Sequence, residues 1–241
     1  MIVQACLNGA RARDYHHRLP VTVDAIAHEA ADSVAVGAAE IHVHVRGPDG
    51  AESLEPAAVD ATVAALRTRV PGTLVGISTG AWIEKDDDRR LAMIEGWREL
   101  PDYTSVNLNE PGAPAVVERL HRRGIGIEAG LASVADAERL VRLGLGPLTL
   151  RALIEINEQA LDEADTVTDG ILAVLGQAGL AKPVLLHGFD ATVWPFVARA
   201  ARQGFSTRVG LEDGCRLPNG SAAASNAALV AVAVALMRGP R

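Results

Sequence analysis

The sequence predicts a single (β/α)8 TIM barrel spanning residues 1–241, and three observations carry that reading. Short β-branched runs alternate eight times with Ala/Leu/Arg-rich amphipathic segments. Gly or Pro stands at most junctions, and no long linker interrupts the alternation. The length, 241 residues, suits one α/β barrel. An open doubly wound sheet is the alternative, because periodicity alone does not prove closure.

The elements follow in order. The first strand is expected over 2–8 and the first helix over 22–37, ending at Gly37. Strand two covers 40–46 and its helix 56–69, between Pro56 and Pro71-Gly72. Strand three, 73–78, precedes a helix over 86–99. Strand four, 104–108, leads to a helix over 113–123 that stops at Gly124. Strand five, 125–129, leads to a helix over 133–143 before Gly144. Strand six, 149–155, precedes a helix over 165–179, and strand seven, 183–187, a helix over 190–203 before Gly204. Strand eight, 206–212, and a helix over 221–238 complete the set.

Composition narrows the function. Hydrophobic residues are 49% of the chain, ample for a core. The formal net charge is −7, and no Lys/Arg-rich block appears. Nucleic acid and anionic membranes are therefore not expected partners. Two cysteines, Cys6 and Cys215, give neither a disulfide framework nor a cysteine zinc site. With no apolar run long enough to span a bilayer and no secretory signal, the expected location is cytoplasmic. The two lysines, Lys85 and Lys182, argue against Schiff-base chemistry, with Lys182 at the start of strand seven, the wrong end of the barrel. The glycines of "VGISTG" and "GIGIEAG" fit neither the P-loop nor the dinucleotide fingerprint.

The stretch "EIHVHVRGPDG" at 40–50 places chemistry on this frame. Successive strand residues point to opposite faces. Ile41, Val43 and Val45 therefore face the helices, and His42 and His44 point into the barrel. The same alternation turns Ser78, Ser105, Asn107, Glu128, His187, Arg208 and Glu212 inward, with Asp213 following at the end of strand eight. Polar groups thus collect at the C-terminal ends of the strands, where barrels of this kind do their chemistry. Two histidines and a glutamate with an open position suit catalytic zinc, so His42, His44 and Glu212 are the expected ligands. The bland alternative is a hydrogen-bonded pair of core histidines. Blander readings serve elsewhere: "EKDDDRR" at 84–90 is an acidic helix start, and Arg151 and Glu155, on one face of strand six, pair with each other.

These residues, with "LNGARAR", "VGISTG", "SVNLNE", "STRVGLEDG" and "LPNGSAAASNAALV", make the chain resemble the β-keto acid cleavage enzymes, typified by 3-keto-5-aminohexanoate cleavage enzyme, from about residue 7 to 230. The resemblance implies a zinc-dependent barrel enzyme that forms a homo-oligomer. It also implies a reaction: a β-keto acid and acetyl-CoA give acetoacetate and a new acyl-CoA. Residue by residue, His42, His44 and Glu212 match the zinc ligands, Asp213 the catalytic acidic residue, and Arg208 the arginine four positions before the ligand glutamate. Ser78, Ser105 and Glu128 match substrate-side residues. In the implied chemistry zinc acts as Lewis acid and Asp213, tuned by Arg208, removes the proton between the two carbonyls. The loops "LIEINEQALDEAD" and "LLHGFDATVW" depart from the family pattern. A zinc lyase or hydrolase on the same barrel that does not use CoA is therefore the competing reading. Relatives that act on an amino-substituted acid carry a glutamate where this chain has Arg11. A guanidinium favours carboxylates and repels ammonium groups, so the expected substrate tail is neutral or acidic.

Overall fold

A computed structural model describes residues 1–239. Eight parallel strands, each followed by a helix, form one sheet in the order β7-β6-β5-β4-β3-β2-β1-β8. The strands are β1 Val3–Cys6, β2 Glu40–Val43, β3 Leu74–Ser78, β4 Tyr103–Asn107, β5 Gly126–Leu131, β6 Arg151–Ile156, β7 Val184–Gly188 and β8 Thr207–Val209. The sheet closes between β7 and β8, where Leu186 N donates to Ser206 O at 2.9 Å and Ser206 N to Val184 O at 3.0 Å. This is the (β/α)8 barrel, not the open sheet.

The helices are α1 Val23–Ala35, α2 Pro56–Arg69, α3 Asp87–Gly96, α4 Ala113–Arg122, α5 Val134–Arg142, α6 Leu161–Gln177, α7 Val193–Gln203 and α8 Asn226–Arg238. Side-chain caps fix several starts. Thr22, Asp86, Ser133 and Ser225 each accept a backbone N–H of the first turn, which satisfies a donor that has no partner inside the helix. The cap at Ser225 starts α8 five residues later than the apolar pattern suggested. The main core lies between helices and sheet, where Ile41, Val43, Val75, Ile77, Ile127 and Leu186 are fully buried. Among the described residues no helix is long and apolar enough to cross a membrane.

The floor of the barrel interior is polar. Arg151 donates through Nε to Glu128 Oε1 at 2.7 Å and pairs with Glu40, while Gln4 Nε2 bonds both Glu128 Oε1 and the Tyr103 hydroxyl. Arg151 therefore pairs with Glu40 and Glu128, not with Glu155. Four residues along a strand separate two groups by about 13 Å, too far for an ion pair. Lys182 also lies at this end, its Nζ 2.6 Å from Thr149 O.

Candidate metal centre and its cavity

The ladder of β2 ends at Val43, yet the chain stays extended through His44. The Asn8 side chain replaces the missing strand neighbour, accepting from His44 N at 2.9 Å and donating to His44 O at 2.9 Å. This keeps the alternation in phase, so His42 and His44 both enter the barrel. β8 is shorter than expected. After Val209 the chain turns at Gly210, where a Cβ would lie 1.8 Å from Cys6 O. The turn brings Glu212 to His42 and His44, and Asp213 to His187.

His42, His44 and Glu212 are buried, and one ligand atom from each lies within 4.8 Å of the others. His44 Nε2 is 3.5 Å from Glu212 Oε1, and His42 Nε2 is 4.0 Å from Glu212 Oε2. Both ring nitrogens of His42 and Oε2 of Glu212 are buried without a hydrogen-bond partner. Unpartnered buried polar atoms are costly, and a cation held by these three groups would satisfy them. The donor set therefore fits a metal. Burial is the main reason the His42 pKa falls to about 3, which keeps that imidazole neutral with a lone pair free. Burial opposes protonation of His44 as well, but Glu212 and Glu52 outweigh it and lift the pKa to about 9. Burial works against the charge on Glu212, yet Arg208 and the two histidines hold it well below the usual carboxylate range.

Glu52 is a member of the site that the sequence did not announce. Arg46 and Glu52 form an isolated antiparallel bridge, so the loop after β2 folds back on itself. It brings Glu52 Oε1 to 2.5 Å from His44 Nδ1. An ionised carboxylate only accepts, so Nδ1 carries the proton and Nε2 is left to face Glu212. Trp82 Nε1 donates to Glu52 Oε2 at 3.0 Å, and its ring stacks over His44 at 6.1 Å. Gly80 makes room for that indole, since a Cβ there would sit 2.3 Å from it. Carboxylates that hold a ligand histidine in this way fix its tautomer and orientation.

Arg208 donates to Glu212 Oε1 at 2.6 Å and to Asp213 Oδ1 at 2.8 Å. Asp213 is 0% exposed and does not line the cavity, and its Oδ2 has no partner. His187 packs beside it, Nδ1 3.4 Å from Asp213 Oδ1 and Nε2 3.7 Å from Glu155 Oε2. Burial and Arg208 oppose protonation of His187, but Asp213 and Glu155 leave its pKa raised.

A cavity of about 560 Å³ opens at this end, lined by His42, His44, Glu212, Arg208, Ser78 and Ser105 on the metal side. Arg11 also lines it, as expected, but its guanidinium is engaged. Nε donates to Glu212 O at 3.0 Å and an NH2 pairs with Asp190 at 3.1 Å. Glu128 is the misplaced member of the expected set. It is fully buried at the floor, bonded to Arg151 and Gln4, and does not line the cavity. Its position on β5 is too early: Gly130, two residues further along, is the one that reaches the lining.

Fold and site together define a (β/α)8 barrel with a candidate two-histidine, one-glutamate metal centre at the C-terminal ends of its strands. The family model "beta-keto acid cleavage enzyme" matches residues 1–239, and the chain belongs to that family. Among curated relatives, a 3-keto-5-aminohexanoate cleavage enzyme of Acetoanaerobium sticklandii is 22% identical, over 99% of this chain and 92% of its own length. A Fusobacterium nucleatum enzyme of the same name is 32% identical over 39% of this chain and 35% of its own. Among solved structures, ObcA bound to oxaloacetate superposes with a TM-score of 0.70 at 18% identity, and ObcA with a C4-CoA adduct and oxalate with 0.72 at 17%. Each match covers 89% of this chain, which spans only 62% of the ObcA chain. At such identities the likeness shows the fold.

Proposed function

We propose that this chain is a zinc-dependent enzyme that condenses a β-keto acid with acetyl-CoA and releases acetoacetate and an acyl-CoA. The observation that carries the reading is the His42–His44–Glu212 triad with its unpartnered buried atoms, in a member of the β-keto acid cleavage enzyme family. The names of the relatives and the CoA adduct in ObcA support the choice of substrates. A set of two histidines and one carboxylate favours zinc among the common metals.

When bound, the metal supplies Lewis acidity to the keto and carboxylate oxygens of the substrate. Ser78 and Ser105 offer hydroxyls to those oxygens from the neighbouring strand ends. Asp213 takes the proton from the carbon between the two carbonyls, on Oδ2, its free oxygen. Arg208 holds Oδ1 of Asp213 and leaves Oδ2 free to take that proton. The resulting carbanion attacks the acetyl carbonyl of acetyl-CoA. The CoA thiolate then attacks the former keto carbon, and the bond between that carbon and the nucleophilic carbon breaks, leaving its electron pair on the latter. Asp213 returns the proton there, which gives acetoacetate and the new acyl-CoA.

The test combines metal analysis with product analysis. Purified protein is expected to hold about one zinc per chain and, with a β-keto acid and acetyl-CoA, to give acetoacetate and an acyl-CoA by mass spectrometry. His42→Ala is expected to lose metal and activity while the barrel stays folded. Tight stoichiometric zinc in a His42/His44 double alanine variant would sink the assignment of ligands. Cleavage of the keto acid with no acyl-CoA product would move the reading to a CoA-independent lyase.

A further inference from the structure

The metal triad comes from β2 and the turn after β8, the two neighbours of β1 in the ring. The opposite wall therefore belongs to β5 and its neighbours β4 and β6. A β-keto acid held at the triad through its keto and carboxylate oxygens must point its tail across the cavity at that wall. Each charged group near the tail's path has a protein neighbour of its own. Arg11 is paired with Asp190. Glu155 lies 3.7 Å from His187. Asp136 accepts from Ala132 N at 3.0 Å.

Of four carboxamides on the far side, Gln159 is tied to Asn157 O and Ala191 N, which leaves three. Asn107 stands at the end of β4 and Asn109 in the loop that follows it, while Asn157 stands just past β6. Asn109 and Asn157 are exposed, and their side chains make no hydrogen bond to the described protein. Asn107 donates only a long 3.3 Å bond to Glu110, and its Oδ1 accepts none. Gly130, between these residues, has no room for a side chain, as a Cβ would lie 2.7 Å from Asn107 Oδ1 and 3.1 Å from Glu155 Oε1. A carboxamide both donates and accepts without carrying charge, and so does a hydroxyl.

We infer that the substrate is a β-keto acid with a neutral, hydroxyl-bearing tail, read by Asn107, Asn109 and Asn157 opposite the metal triad. The inference rests on the function proposed above and narrows the expectation of a neutral or acidic tail to a neutral one, with Arg11 no longer its reader. A carboxylate tail would have to displace Asp190 from Arg11. An ammonium tail would find Glu155 already beside His187. An alkyl tail would strip water from amides and return no hydrogen bond.

The experiment compares kcat/KM for β-keto acids of equal chain length whose tails end in hydroxyl, methyl, carboxylate or ammonium. It is repeated with the Asn109→Leu/Asn157→Leu variant. The hydroxylated acid is expected to lead the methyl one by about tenfold, the size of one or two neutral hydrogen bonds. In the double variant that lead is expected to vanish while the KM for acetyl-CoA stays unchanged. Equal or better use of the methyl, carboxylate or ammonium tail by the unmodified enzyme would overturn the inference. So would a KM for acetyl-CoA that rises with no change in tail ranking, which would assign the amides to the amide-bearing arm of CoA. Calorimetric binding of the four acids to zinc-loaded protein without acetyl-CoA gives a readout independent of turnover. If no acid is cleaved but the hydroxylated one binds tightest, the proposed reaction fails and the tail assignment stands. Cleavage with a flat ranking does the reverse.

Discussion

The floor and the mouth of this barrel are built from similar residues and treat charge in opposite ways. At the floor, Arg151 reaches Glu40 and Glu128, and Gln4 and Tyr103 take up neighbouring positions. One atom there, Glu128 Oε2, is buried without a partner. At the mouth, both nitrogens of His42, Oε2 of Glu212 and Oδ2 of Asp213 are buried without partners, although Arg208 stands among them. The floor is a network closed on itself but for that one atom. The mouth is a network with its donors and acceptors aimed at something else. Residue type alone does not separate a structural carboxylate from a functional one; the state of its partners does.

Three substitutions test the contrast, in falling order of effect. Asp213→Asn at the mouth is expected to keep zinc and lose about 10²–10⁴-fold in rate, the usual contribution of a positioned general base. Exchange of the substrate α-proton with solvent checks this. If exchange is unimpaired and only KM rises, Asp213 merely holds Arg208. Arg151→Met at the floor leaves two buried carboxylates without their cation and is expected to cost about 3–5 kcal/mol in denaturant unfolding. Metal content and kcat of the folded fraction should be close to wild type. A variant that folds normally but loses turnover would place Glu128 in the chemistry after all. Glu52→Gln is expected to weaken zinc binding about 10–100-fold, as loss of a carboxylate behind a ligand histidine does. Competition with a chelating dye measures it, and an unchanged affinity would show that Glu52 does not position His44.

Much of this was legible in the sequence. The strands and most helices follow from apolar periodicity, and the inward set of His42, His44 and Ser78 follows from strand alternation. Alternation says which face a residue takes but not how deep it sits. Glu128 has the right parity and the wrong height. Glu212 was expected on β8 itself and Asp213 just past its end. They take their places through the turn at Gly210, whose missing side chain lets Cys6 O approach closely. Glu52 was invisible because the loop that delivers it is shaped by its own backbone bridge and not by a repeating pattern. Asp190, the partner of Arg11, comes from the far end of the chain and carries a positive φ of 46°. No local signal ties it to residue 11.

The loop after β1 bears on how such an enzyme can change. Gly9 has φ +54°, and a Cβ there would meet Glu212 Cγ at 2.4 Å. Every replacement at position 9 therefore strains the backbone and pushes on a ligand carboxylate at once. Asn109 and Asn157 across the cavity are exposed and tie down nothing. Random change in the gene is thus screened unevenly: it is purged at the proposed metal site and passes at the proposed tail site. A lineage built on this barrel can keep its reaction and wander among substrates.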